Sequence, residues 1–504
     1  MPPSRVDVRL VTMSQQDCAS VPLPPEGSAT AEALAVIGEA EPVYRRLLGL
    51  TESQPGWRSP ADFCAEVLAR ALADRTFLAI SRRRAFFADA GRLRPDCRLT
   101  PVLAALDHKG RGERVAAFAF AKRALTLNQD DLFAQELWLD VHPEPPLRQP
   151  LAGRFCEHPF ERLETQSRGR VLFCCPAWLP VPVGNLANGS PDALWNSVAA
   201  QDIRRSILDG SFRYCSRLHC PRLTEENLPR FEEVTDPAYR MTIASRQTVL
   251  PYRPRRMWLS HDRSCNISCP SCRTSLIAAR SAEVERMNEM AERMLLPLLS
   301  GTPRVALTGS GDPFASRHFR WLIRQLTSGR FQGLRIDLQS NGLLLKESWH
   351  ELGLEGYAHT LLVSIDAAEA ATYAVVRRGG TFARLLENLA FAADLRRSRK
   401  LRRVRLDFVV QALNYREMPD AARLMRSYGF DGVKFQMLRS WNTYPPEEYA
   451  RHDVGSPGHP EHQRFLTVLD DPDLRGTDVE FYGFHSVSAA RLRGVRPAPA
   501  QPAG

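Results

Sequence analysis

A chain of 504 residues is too long for a single hydrophobic core, so two to four domains are expected. Its 44% hydrophobic and 25% charged content is that of a globular protein, and no apolar run is long enough to cross a bilayer. The formal charge of +10 comes almost wholly from arginines scattered along the chain. They lack the interleaved aromatics of an RNA-binding surface, which argues against a nucleic-acid partner.

Residues 1–30 are rich in Pro, Ser and Gly and read as disordered. Met1 to Ala29 has no apolar h-region, so neither a signal peptide nor a membrane anchor is expected. The chain is then expected to be cytoplasmic, where cysteines stay reduced and read as metal ligands or catalytic groups. Residues 31–147 read as a helical region. Within it, Glu113 to Asn128 places Val115, Phe118, Ala121, Ala124 and Leu125 on one helical face. Ala117, Ala121, Ala124 and Leu125, followed by Asn128 to Asp131, resemble the second helix of a tetratricopeptide repeat; a plain helical bundle is the alternative. Cys18, Cys64 and Cys97 are isolated and read as structural. Pro143-Glu144-Pro145-Pro146 forms a linker.

A cysteine-rich stretch follows over 151–225: Cys156-Glu157-His158-Pro159-Phe160, then Cys174-Cys175-Pro176, then Cys215 and Cys220. Between them lie Gly169, Gly184-Asn185-Leu186, Trp195-Asn196-Ser197 and the arginine-bearing run Ile203–Ile207. Taken alone, the cysteines fit either a zinc ribbon or an iron–sulfur site. The ordered landmarks resemble the SPASM module, an auxiliary-cluster domain. That resemblance implies four thiolates, from Cys156, one of Cys174 and Cys175, Cys215 and Cys220, closing one [4Fe-4S] cluster. The module usually follows a catalytic domain, whereas here it comes first.

From 250 to 445 short strands alternate with helices, the signature of a parallel α/β fold. Strands are expected at Met257–Ser260, Arg304–Thr308, Leu334–Gln339, Thr360–Ile365, Val404–Val410 and Gly432–Met437. Helices are expected at Ser281–Leu296, Ala315–Leu326, Phe382–Leu395 and Pro419–Tyr428, the last with Pro at its start and Gly429 just past its end. After the first strand, Cys265, Cys269 and Cys272 are spaced so that one loop can aim three thiolates at one centre. A zinc site with His261 or a distant residue as fourth ligand is the alternative.

The CxxxCxxC spacing resembles that of radical S-adenosylmethionine (SAM) enzymes, although Ser271 stands where many members have an aromatic residue. The resemblance implies a partial (β/α)6 barrel and a [4Fe-4S] cluster on Cys265, Cys269 and Cys272 whose open iron binds SAM. It implies reductive cleavage of SAM to a 5′-deoxyadenosyl radical that abstracts hydrogen from a substrate. It also assigns cofactor contacts at strand ends: Gly309, Ser310, Gly311 and Asp312 for the SAM amine, Ser340 and Asn341, Ser364 and Asp366, Arg377 or Arg378 near the carboxylate, and Gln411. Expected partners are a flavodoxin- or ferredoxin-type reductant and, because SPASM-bearing relatives often modify ribosomal peptides, a peptide or protein substrate. Residues 446–504 form a C-terminal extension, with loop histidines His452, His459 and His462 and a short strand expected at Val479–Phe484 against the barrel's open edge. The rival reading is a non-catalytic interaction protein, with helical repeats and structural zinc.

Overall fold

The computed structural model describes residues 99–110, 112–127, 137–138, 141, 150–217, 220–307, 310–440 and 443–484. The stretch 1–30, the residues 31–98, Cys18, Cys64, Cys97 and the tail beyond 484 lie outside them, as does Gly309. The chain divides into two compact units, Met1–Pro145 and Pro146–Gly504.

In the first unit, helices α1 (Leu99–Gly110) and α2 (Arg114–Leu127) pack against each other. The contact is made of small side chains: Ala104 and Ala105 of α1 and Ala117, Ala121 and Ala124 of α2 are all buried. Small residues let two helices approach closely, and that choice sets which face is covered. Of the face expected for α2, Ala121 and Ala124 are buried and Phe118 and Leu125 half-buried. Val115, assigned to it by periodicity, is 80% exposed.

The second unit is organised by a ten-stranded sheet in the order β10-β9-β8-β7-β6-β5-β4-β1-β2-β3. Its strands are β1 (Arg162–Thr165), β2 (Arg170–Leu172), β3 (Gly184–Asn185), β4 (Arg256–Leu259) and β5 (Arg304–Leu307), then β6 (Arg335–Ser340), β7 (Ala358–Ser364), β8 (Arg403–Val410), β9 (Gly432–Met437) and β10 (Val479–Tyr482). The six strands β4 to β9 are those expected from the alternation, and all run parallel. β10 extends them in parallel beside β9. At the opposite edge β1 pairs in parallel with β4, Arg162 opposite Arg256 and Thr165 opposite Leu259, and carries the antiparallel strands β2 and β3. The upstream cysteine module thus shares one sheet with the strands that follow it.

Helices connect the strands: α3 (Ser281–Met290), continued by a wide turn over Ala291–Leu295, α4 (Arg317–Leu326), α5 (Phe382–Arg397) and α6 (Met418–Ser427). Two seven-residue helices, Leu345–Glu351 and Ala370–Val376, were not expected; each is too short to show a helical period. No residue of α3 itself is buried, so Val284 and Met287 lie on a less covered face than their spacing suggests.

The two faces of the sheet differ. Met257, Leu259, Val305, Leu307, Leu361, Val404 and Phe435 are fully buried on one face. The alternate positions of the same strands carry Trp258, Arg304, Asp337, Arg405, Asp407 and Lys434. Parallel sheets are normally apolar on both faces. A polar inner face marks a chamber rather than a second packed core. Its charges are largely paired, Arg304 with Asp337 at 2.5 Å and Arg405 with Asp407 at 2.7 Å.

Candidate functional site

The loop 260–280 leaves the C-terminal end of β4, where a parallel strand's ligand-binding residues are expected. Its shape is fixed by buried polar contacts. Asp262 accepts hydrogen bonds from the Ser264 amide at 2.9 Å and hydroxyl at 2.8 Å, and from the Ser316 hydroxyl at the start of α4. The Ser310 hydroxyl donates to the carbonyls of Ser260 and, at 3.2 Å, Asp262. The Asp312 amide donates to Ser264 O at 2.8 Å. The loop after β5 is therefore pressed backbone to backbone against the cysteine loop. Gly311 is where they meet: a Cβ there would lie 2.8 Å from Asp262 O and 2.9 Å from Arg263 C, and closer still to Ser264 O.

Each sulfur of this loop faces a nitrogen donor from a different segment. Asn341 Nδ2, after β6, lies 3.7 Å from Cys265 Sγ; Arg377 Nη1 lies 3.6 Å from Cys269 Sγ; Arg273 Nη2 lies 3.4 Å from Cys272 Sγ. Arg273 also donates to Arg263 O and Ser310 O, both at 2.8 Å, tying the cysteine loop to its neighbour. Nothing in the spacing of the motif singles out Arg273. Burial pushes the Cys265 and Cys269 thiols up, and Arg377 partly offsets this at Cys269.

The strand-end residues expected around the cofactor are brought together, each with definite partners. Asp312 is buried, and its carboxylate accepts from Ser340 Oγ (2.7 Å) and from the amides of Asn341 (2.9 Å), Phe314 (3.0 Å) and Ala315 (3.2 Å). Burial still leaves its pKa raised. Ser364 ends β7 half-buried, in register with Asp407. Asp366 has a left-handed φ of 52°; it accepts from the Val409 amide at 2.7 Å and ion-pairs with Arg377 Nε at 2.9 Å. Arg378 is exposed and clasps the cysteine loop through Ser268 Oγ and Thr274 O, both at 3.2 Å. Gln411, 2% exposed, has an amide oxygen with no hydrogen-bond partner, and the Tyr373 hydroxyl beside Arg377 is likewise buried and unpartnered. Orphaned polar atoms of this kind suit a polar cofactor such as SAM.

His261 is not placed to ligate a metal in this loop. Its Nδ1 is 2.7 Å from Thr165 Oγ1 and its Nε2 is 2.8 Å from His318 Nε2, so both ring nitrogens are engaged. Burial drives the pKa of both imidazoles down. In the C-terminal extension His452 and His462 lie at helix ends rather than in loops, and His459 bonds to Arg451 O and His462 to Val454 O.

The upstream module builds a second site. Its landmarks have plain structural roles: Trp195 Nε1 donates to Tyr252 O at 2.7 Å, and Asn196 brackets Leu250 through both its amide groups. Arg204, fully buried, lies over the Trp195 ring at 4.5 Å and donates to the carbonyls of Pro159, Trp195 and Thr248, each at 2.9 Å. The module also holds a cavity lined by Cys156, Cys174, Cys215 and Cys220, with His158, Arg162 and Arg222. Cys175 is not in that wall; burial raises its thiol, with Glu164 adding to the rise and Arg162 and Arg439 opposing it. Burial pushes Cys156 up to about 12 and holds Cys174 and Cys215 well above the ordinary thiol range. Among the described residues, no three His, Cys, Asp or Glu side chains are gathered to hold a single metal ion. The four thiols lining that cavity supply the ligand number that a four-thiolate cluster requires.

Residues 156–221 match the model of the SPASM iron–sulfur cluster-binding domain. Residues 156–221 are thus a SPASM-type module, placed ahead of a parallel sheet whose CxxxCxxC loop is similar to that of radical SAM enzymes. Over 133 residues the chain is 29% identical to a GTP 3′,8-cyclase of Pelotomaculum thermopropionicum; the match covers 26% of the chain and 40% of that relative's length. Among solved structures, Streptococcus suis SuiB bound to S-adenosylmethionine is 14% identical, with a TM-score of 0.32 over 48% of this chain and 51% of that one. Native anSMEcpe with bound AdoMet is 20% identical, with a TM-score of 0.28 over 39% and 57%. No helix among the described residues is long and apolar enough to cross a membrane.

Proposed function

We propose that the protein is a radical SAM enzyme whose catalytic [4Fe-4S] cluster is held by Cys265, Cys269 and Cys272. The observation that carries this reading is the three-cysteine loop at the end of β4, with a nitrogen donor aimed at each sulfur. When bound, the cluster supplies the electron that cleaves SAM to methionine and a 5′-deoxyadenosyl radical, which takes hydrogen from the substrate. The chain's part is to bind, orient and exclude water. Asn341, Arg273 and Arg377 hold the thiolates; the 310–313 loop, Ser340, Ser364, Asp366, Arg378 and Gln411 line the cofactor side. Of these, Gln411 Oε1 and the Tyr373 hydroxyl are the groups left for SAM to satisfy. Gly309 belongs to the same proposal. The polar inner face of the sheet is the substrate chamber, and a peptide or protein is the proposed substrate, the class common among SPASM-bearing proteins. The proposed electron source is a flavodoxin or ferredoxin.

The module's proposed ligands are Cys156, Cys174, Cys215 and Cys220, filling every iron and leaving that cluster to accept or pass electrons. Anaerobically reconstituted protein with dithionite should convert SAM to 5′-deoxyadenosine. The Cys265→Ala, Cys269→Ala, Cys272→Ala variant should keep the module's iron and lose this conversion. Retained conversion would refute the assignment.

A further inference from the structure

Two arginines in the wall of the module cavity are only partly used. Arg162 is 7% exposed; its Nη2 binds Glu164 Oε2 at 2.8 Å, yet its Nε is buried without a partner. Arg222 grips the Glu157 carboxylate with Nη1 at 2.6 Å and with Nη2, and its Nε too is buried and unpartnered. A buried donor without an acceptor is costly to leave unpaired. Here two such donors border one cavity, on the same wall as four thiols. Both guanidiniums also act electrostatically on those thiols, Arg162 on Cys174 and Arg222 on Cys156. His158 Nδ1, 3.4 Å from Cys174 Sγ, adds a third nitrogen at the same wall.

We propose that Arg162 and Arg222 are the potential-setting residues of the auxiliary cluster, each turning its Nε–H onto a cluster sulfur. The inference rests on reading the module as cluster-bearing. A [4Fe-4S] core with four thiolates is an anion, and one-electron reduction makes it more negative. Fixed cations and N–H donors stabilise the reduced form more than the oxidised one and so raise the reduction potential. Arg162 has a further position of consequence. Its guanidinium lies over the ring of Trp258 at 4.2 Å, and Trp258 belongs to the sheet's polar face. It therefore stands between the barrel chamber and the cluster cavity, where it influences the cluster that faces the substrate's electron.

The test uses full-length protein carrying Cys265→Ala, Cys269→Ala and Cys272→Ala, so that only the module's cluster is observed. It is reconstituted anaerobically, and its midpoint is read by redox titration with electron paramagnetic resonance. Arg162→Gln and Arg222→Gln should keep their iron and sulfide while the midpoint moves to more negative values. The ratio of reduced to oxidised cluster at a fixed potential should fall at least tenfold, a 59 mV shift for one electron. Arg162→Lys and Arg222→Lys keep the charge but lose Nε–H, and should give smaller shifts in the same direction. An unchanged midpoint with full iron in the Gln variants overturns the proposal. If the Gln variants lose iron, the Lys variants decide, and a parent midpoint in both overturns it equally. Absence of iron from the parent itself would instead overturn the cluster reading of the module.

Discussion

Gly311→Ala tests the close approach of the two loops that hold the proposed cofactor site. Gly311 is not in a left-handed conformation, so an alanine there is opposed by contact alone. The added Cβ would lie 2.8 Å from Asp262 O, 2.9 Å from Arg263 C and nearer still to Ser264 O, all backbone atoms of the cysteine loop. Flexible side chains could swing away from such a contact; these atoms cannot without opening the Asp312 N–Ser264 O hydrogen bond of 2.8 Å. Overpacking typically costs about 1–3 kcal/mol, and the upper end applies where backbone must move. At about 1.4 kcal/mol per tenfold, about 3 kcal/mol displaces the closed loop pairing by roughly two orders of magnitude. Gly458→Ala is the control, because nothing lies within 4 Å of its Cβ position and its φ is ordinary. Reconstituted Gly311→Ala should lose the iron of the Cys265 loop, keep that of the module and form little 5′-deoxyadenosine, while Gly458→Ala matches the parent. Wild-type iron and product in Gly311→Ala would refute the argument from loop contact.

Cys174→Ser should cost the module its iron and Cys175→Ser should not, since only Cys174 lines the cavity; iron and sulfide determination on the two proteins checks this. Asp312→Asn replaces a carboxylate that accepts from four donors with a group having one acceptor oxygen, so buried donors are left unpaired at about 1–3 kcal/mol each. Chemical denaturation should show the loss, and a stability within about 0.5 kcal/mol of the parent would contradict it. Arg377→Gln strands Asp366 in the interior, a change that costs about 3–5 kcal/mol when a buried pair is broken. Its thermal midpoint should fall, and Asp366→Asn in the same chain should restore part of it.

The cysteine loop and the strand ends were legible because their information is local. Thiolate spacing, glycines at strand ends and β/α alternation lie within a few residues of one another. Gly311 shows what local reading leaves out: the cysteine loop's backbone lies where its Cβ would be, a contact across some fifty residues that spacing does not reveal. Arg273 and Arg377 could be placed near the loop by sequence, but only folding shows which sulfur each one faces. Between Cys174 and Cys175 the sequence offers only Pro176, which turns the second away and favours the first; the cavity wall, which of the two includes only Cys174, is set by distant residues. Val115 failed for a related reason, since small alanines, not the larger apolar side chains, define the α1–α2 contact.

Strand pairing across some ninety residues was the least legible feature, and it decides what the reversed domain order means. Because β1 adds to the β4 edge in parallel, the module needs no position after the barrel to reach it. The cysteine loop leaves the C-terminal end of β4, next to Thr165, while Cys174 meets His158 and Arg162 at the start of β1. Three steps of about 3.3 Å from Arg162 to Thr165 separate those ends by about 10 Å along the strand. That separation is also held rigid. Thr165 of β1 bonds His261, His261 bonds His318 of α4 at 2.8 Å, and His318 bonds Asn288 of α3 at 2.7 Å. Burial keeps both imidazoles neutral, so the chain of bonds carries no charge that solvent would draw out. A module riding on a flexible linker would let the distance between its thiols and the catalytic loop vary. One that shares the sheet, and is pinned through a buried histidine pair to α3 and α4, has that distance fixed.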